Sequence, residues 1–203
     1  PELALNSSVV TLNNAAVLTY DKALWAGTIE IKNGATLRLG TNALNVGTLT
    51  WRNGGTLDMT GPITIGSAFS VWPQRSIANR LLGPGDVYIG DPSDSWGYVQ
   101  LTGTNTYAGK TQIRRAVLQA HENIGMPTNS LLVFRAEGYD QHCVLETYGS
   151  FERNIGQAAG DVYWDATGVG GGWSAREGDL IVTLEGGAPL SWNDADLGFN
   201  NRQ

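Results

Sequence analysis

The chain has 203 residues, 41% of them apolar and 16% charged, with 27 glycines and a formal net charge of −6. That apolar share supports a core and excludes a disordered chain, which needs low hydrophobicity and high charge; glycine without a three-residue period excludes collagen. Only Lys22, Lys32 and Lys110 carry lysine ammonium groups and the pI is near 4.8, which excludes a basic phosphate-binding surface and hence nucleic acid as a partner.

In chain order, Pro1 opens the sequence without Met, and no signal peptide follows. The expectation is a processed chain or an internal piece of something longer. Val10-Thr11-Leu12 and Leu18-Thr19-Tyr20 alternate apolar and polar residues, as a strand with one buried face does. The longest apolar stretch, near Ala15–Leu18, is far short of the roughly 20 residues of a membrane span. The pattern returns in Gly27–Ile31 with Gly34–Leu39. It returns again, 20 residues on, in Gly47–Trp51 with Gly54–Met59, and once more in Phe69-Ser70-Val71. Asn33-Gly34, Asn53-Gly54 and Gly61-Pro62 are turn signals between these strands. Helix formers are scarce, and Arg75–Leu82 is the one stretch with apolar residues at helical spacing (Ile77, Leu81, Leu82).

A repeat of constant length separates two all-β architectures. A sandwich has no reason to keep a fixed spacing between strands. A β-solenoid must restart each coil in phase so that like side chains stack. The reading is therefore a right-handed parallel β-helix with coils of about 20 residues, treated as one domain over 1–203. Ile29 stacks on Leu49 and Phe69, and Leu37 on Leu57 and Ile77, in this scheme. About ten coils at about 4.8 Å per coil make a rod of roughly 50 Å. Glycine serves the coil corners, where positive φ is needed. The scarcity of lysine leaves the edge strands without their usual guard against edge-to-edge pairing.

The middle of the chain, Gly97–Ile113 continuing through Ala116–Ala120, resembles the autotransporter-associated β-strand repeat, also called the passenger-associated transport repeat. The residues that carry the likeness are Gly103, Asn105, Thr106, Tyr107, Gly109 and Thr111. Ala108, Lys110 and Arg115-Ala116 depart from the pattern at turn positions and leave the strand alternation intact. Ile77–Val87 is similar to the turn that precedes such repeats, and Phe151–Trp164 and Gly178–Leu184 with Leu190-Ser191-Trp192 are similar to segments that follow them. The likeness is tightest over 77–120. It implies an exported β-helix on the outer surface of a diderm bacterium, in which the repeat builds the stalk-like body and performs no catalysis.

The residues with reactive chemistry are few. His121-Glu122 and Asp140-Gln141-His142-Cys143 are the only metal-like clusters, with the histidines about one coil apart; a zinc site wants three or four ligands at a recognisable spacing, and loop residues at a coil corner are the better reading. His142 and Cys143 are adjacent, so on a strand they face opposite ways and a thiolate pair is disfavoured. Cys143 is the only cysteine, which excludes an intramolecular disulfide. Asp91 with Asp94 and Asp194 with Asp196 are candidate carboxylate pairs for glycoside hydrolysis or calcium, but all four lie in turn-like sequence where solvated Asp is usual. Trp51 and Trp164 sit in alternating strands and read as core. Trp96, Trp173 and Trp192 lie beside Gly, Ser or Asn and are the candidates for stacking on sugar rings. Arg114-Arg115 reads as solvated surface, and Asn6-Ser7-Ser8 matches a glycosylation sequon.

The sequence thus points to a structural segment of a stalk, fibre or adhesin. No catalytic residue, metal or cofactor is expected. The expected partners are further coils or copies of the chain end to end, with a surface polysaccharide as a second candidate. The rival reading is a polysaccharide-binding or polysaccharide-degrading β-helix.

Overall fold

The computed structural model describes residues 3–91, 96–136, 143–165 and 170–190. The N-terminal part runs β1 (Leu3–Leu12), β2 (Val17–Thr19), β3 (Leu24–Ile31), β4 (Thr36–Gly40), β5 (Leu44–Trp51), β6 (Thr56–Met59) and β7 (Ile63–Val71). Next come β8 (Arg75–Ile77), β9 (Leu81–Leu82), β10 (Asp86–Ile89), β11 (Tyr98–Leu101), β12 (Thr111–Ile113) and β13 (Ala116–Ala120). The described chain closes with β14 (Leu132–Phe134), β15 (Cys143–Arg153), β16 (Val162–Trp164) and β17 (Gly172–Leu184) before a 3-10 turn at Glu185–Gly187. Among the described residues no helix is long and apolar enough to cross a membrane.

All pairings between these strands are parallel, and each joins one coil to the next. The long face follows the order β1-β3-β5-β7-β10-β12-β14-β16, with β9 beside β7. A parallel β-solenoid results, as the repeat predicts. Ile29 pairs with Leu49 and Leu49 with Phe69, the stacking expected from their 20-residue spacing. All three are fully buried, as are Leu24, Leu44 and Ile63 on the neighbouring rows. The core is therefore a column in which each coil buries its apolar residues on those of the next. The long face has eight rungs over residues 3–164, fewer than the coils that division by 20 gives. Later coils are longer: Leu132 pairs with Val162, a step of 30 residues.

The second face changes hands midway. β2, β4 and β6 form one short sheet, with Leu18 on Leu37 and Leu37 on Leu57. Ile77 does not extend that stack. It lies in β8, the first strand of another sheet of order β8-β11-β13-β15-β17, and pairs with Leu101. Asn79 spans the break, donating through Nδ2 to the carbonyls of Met59 (3.0 Å) and Gly61 (2.9 Å). The helical spacing over Arg75–Leu82 is likewise corrected. It holds two short strands, because Ile77 and Leu81 each find a partner strand on an adjacent coil, and burial against the column outweighs a weak local period.

Glycine has two distinct roles. At Gly34 and Gly54 φ is +80° and +73°, the left-handed corner expected of the Asn-Gly turns. At Gly103 and Gly109 φ is not positive. There the backbone of the preceding coil comes too close for any side chain: a Cβ would lie 2.3 Å from the Asn79 carbonyl oxygen or 2.2 Å from that of Gly85.

Candidate functional site

The repeat-motif residues form a set of links between coils. Asn105 is 3% exposed, in the loop before β12. Its Oδ1 accepts from the Leu81 amide at 2.8 Å on the preceding coil, and its Nδ2 donates to the Gly125 carbonyl at 2.8 Å on the following one. One side chain thus satisfies buried backbone groups on both neighbours. The Thr106 amide donates to the Leu81 carbonyl at 3.0 Å. Tyr107 is fully buried, and its hydroxyl lies 2.6 Å from Thr111 Oγ1, which lies 2.8 Å from Ser130 Oγ. Ser130 Oγ donates to the Gly109 carbonyl at 2.7 Å. That last bond uses the Ser130 proton and fixes the order of the row: Tyr107 donates to Thr111, and Thr111 donates to Ser130. Burial pushes the Tyr107 phenol up to about 12.

Arg153, on β15, was not singled out by the sequence. Its side chain is 2% exposed. Nε donates to Glu122 Oε1 at 2.7 Å, and the other nitrogens donate to the carbonyls of Ser130, Pro127 (3.1 Å) and Asp161 (3.3 Å). Planar geometry lets one guanidinium bind an acid and several carbonyls at once, which an ammonium does less well. A buried Arg that faces irregular loop carbonyls has no sequence signature of its own.

The other named residues are scattered. Trp51 and Trp164 are buried, as read. Trp96 is 52% exposed on the approach to β11. Trp173 is half-buried, because β17 pairs in register with β15 and sets it beside Leu145; its ring meets those of Phe134, Phe151 and Trp164 at 5.2–5.5 Å. Cys143 is buried and its thiol donates to the Arg114 carbonyl. Asp91 is half-buried. Trp192, Asp94, Asp140, His142, Asp194 and Asp196 lie outside the described residues. Among the described residues no group of three His, Cys, Asp or Glu side chains could hold a metal ion.

A groove of about 140 Å³ crosses the sheet β11-β13-β15-β17. In-register pairing sets Gln100 beside Gln119, and Gln119 beside Glu146, one rung apart. Gln119 Nε2 donates to Glu146 Oε2 at 2.9 Å, and Ser76 Oγ donates to Gln100 Oε1 at 3.1 Å. Arg176 closes the row, bonded to Glu146 at 3.3 Å and Glu177 at 3.2 Å. Its hydrogen bond to Glu177 is the main cause that holds its pKa above the ordinary value. Beside this polar row, His121 and Tyr148 stack face to face, with ring centres 4.3 Å apart and planes within 2°. Tyr148 is 39% exposed, and His121 Nδ1 is buried without a hydrogen-bond partner. The sequence marks His121 and Glu122 as a pair, yet the structure separates their roles: Glu122 holds Arg153, while His121 lines the groove.

The chain matches no protein-family model, no curated protein and no solved structure.

Proposed function

We propose that the chain is a structural segment of an exported, autotransporter-like surface protein, a stalk, fibre or adhesin body with no reaction of its own. The observation that carries this reading is the use made of the interior polar groups. Asn105, Thr111, Ser130 and Arg153 spend their bonding on holding one coil to another, and Tyr107 anchors Thr111 from within its own coil. A rod under load needs such ties, because a parallel solenoid has no other link between coils than its ladders and its core. The repeat-like segment over 77–120 supports export. Further coils, or copies of the chain end to end, are the partners.

Protease treatment of intact cells that make the protein tests the outward location. An antibody against residues 97–120 is expected to lose its signal on intact cells. An epitope that survives until the cells are lysed overturns the reading. Polysaccharide cleavage is the weaker alternative. The two carboxylates of the groove, Glu146 and Glu177, are both tied to Arg176 instead of flanking an open gap for the glycosidic bond.

A further inference from the structure

We propose that the groove across β11, β13, β15 and β17 binds a neutral, linear oligosaccharide. The site goes beyond a load-bearing role, since it adds a surface groove to a row whose bonds already join one coil to the next.

Four successive rungs contribute to the groove: Gln100, Gln119 with His121, Glu146 with Tyr148, and Arg176. At about 4.8 Å per rung they span roughly 14 Å, so the fitting ligand is extended and lies along the coil axis. The polar row offers carboxamide donors and acceptors and a carboxylate at one-rung intervals, a pattern suited to a line of hydroxyls that donate and accept. Tyr148 supplies the flat apolar surface against which the C–H face of a pyranose packs, and stacking on His121 fixes that ring in place. His121 itself lines the groove, so its ring senses whatever lies against Tyr148.

Charge and backbone exclude the competitors. Glu146 and Glu177 outnumber Arg176, whose guanidinium they already engage, and the whole chain carries −6. An acidic polymer meets repulsion here. An extended peptide binds sheets by adding a strand to a free edge. β11, β13 and β15 are each paired on both sides, so across them the groove offers a peptide no main-chain ladder, and of the groove's four strands only β17 has an outer edge left unpaired among the described strands.

Isothermal titration with cellotetraose, mannotetraose, xylotetraose and maltotetraose, and with tetragalacturonate as the acidic comparator, tests the proposal. At least one neutral ligand is expected to bind, and both Tyr148→Ala and Gln119→Ala are expected to weaken it by about tenfold or more, which is about 1.4 kcal/mol. Trp25→Ala, on the long face, is expected to leave it unchanged. Binding of none of the neutral ligands, preference for tetragalacturonate, or wild-type affinity in folded Tyr148→Ala and Gln119→Ala overturns the proposal. A second readout needs no variant: the His121 ring resonances of the wild-type chain shift on saturation, and their constancy in the presence of a bound ligand places it elsewhere and overturns the site.

Discussion

Replacing Arg153 by Met removes the most connected side chain of the interior while keeping its aliphatic volume. The Glu122 carboxylate loses its partner at 14% side-chain exposure, and the carbonyls of Pro127, Ser130 and Asp161 lose a donor. Breaking a buried ion pair from one side costs about 3–5 kcal/mol, most of it the stranded charge. For a chain of this size each kcal/mol moves Tm by about 2–4 °C, so Arg153→Met is expected to lower Tm by roughly 6–20 °C. Thermal melting followed by far-ultraviolet circular dichroism reads this directly. Adding Glu122→Gln removes the stranded charge, so the double variant is expected to be more stable than Arg153→Met alone. The coupling in that cycle is expected at about 1–3 kcal/mol. Hydrogen exchange locates the effect: the amides of Leu132 and Val162, which bracket the loop carbonyls, lose protection before those of Ile29 and Leu49. A Tm drop of less than about 2 °C, or strict additivity of the two substitutions, refutes the claim that this guanidinium clamps the coils.

Asn105→Ala leaves the Leu81 amide and the Gly125 carbonyl buried without partners, at about 1–3 kcal/mol each, so the urea midpoint falls with little change in slope; a loss under about 0.5 kcal/mol counts against the double link. Gly109→Ala drives a Cβ to 2.2 Å from the Gly85 oxygen and costs about 1–3 kcal/mol by overpacking, whereas Gly172→Ala, with nothing within 4 Å, is expected to be neutral in the same melting assay. Tyr107 sets an alkaline limit. Its phenol is raised from 10.0 to about 12, so its contribution is complete below pH 10 and is lost as pH rises through 12, an effect on the order of 2–3 kcal/mol. Stability measured from pH 9 to 12 is expected to fall less steeply in Tyr107→Phe than in the wild type; parallel curves refute the assignment.

The sequence makes the N-terminal coils legible because they are regular. Ile29, Leu49 and Phe69 recur at a constant interval, and a constant interval is what stacking requires. The Asn33-Gly34 and Asn53-Gly54 turns announce their left-handed corners, and the Gly34 amide donates to the Gly54 carbonyl at 2.8 Å, so even the turns stack. The break at Ile77 was not legible. Its alternation continues unchanged, and which sheet a strand joins depends on the loop that delivers it. Gly103 and Gly109 show a second blind spot. Composition suggests that glycine is there for its φ, whereas their reason is the distance to another coil, which no local pattern carries. The groove was missed for the same cause: Gln100, Gln119 and Glu146 are unremarkable in sequence and meet only through register.

The irregular coils and the interior polar groups belong together. Every buried polar side chain among the described residues lies between Asn105 and Arg153, while the earlier coils bury apolar side chains alone. A coil of constant length presents each backbone carbonyl to the ladder of the next coil. A coil that gains a loop, such as 121–130, turns carbonyls away from the ladder, and Gly125, Pro127 and Ser130 then need side-chain donors. Asn105 and Arg153 supply them. The same loop begins at His121, so the clamp on Glu122 also fixes the backbone that carries one wall of the groove. Regular stacking makes the rod, and departures from it, once tied down, create a place where a polar row and a stacked aromatic pair line one groove. The Arg153→Met variant therefore separates two ideas in one protein. If the clamp positions the groove, oligosaccharide binding weakens at temperatures where the variant is still folded; if binding is unchanged there, the groove stands on its own ladder and the clamp serves stability alone.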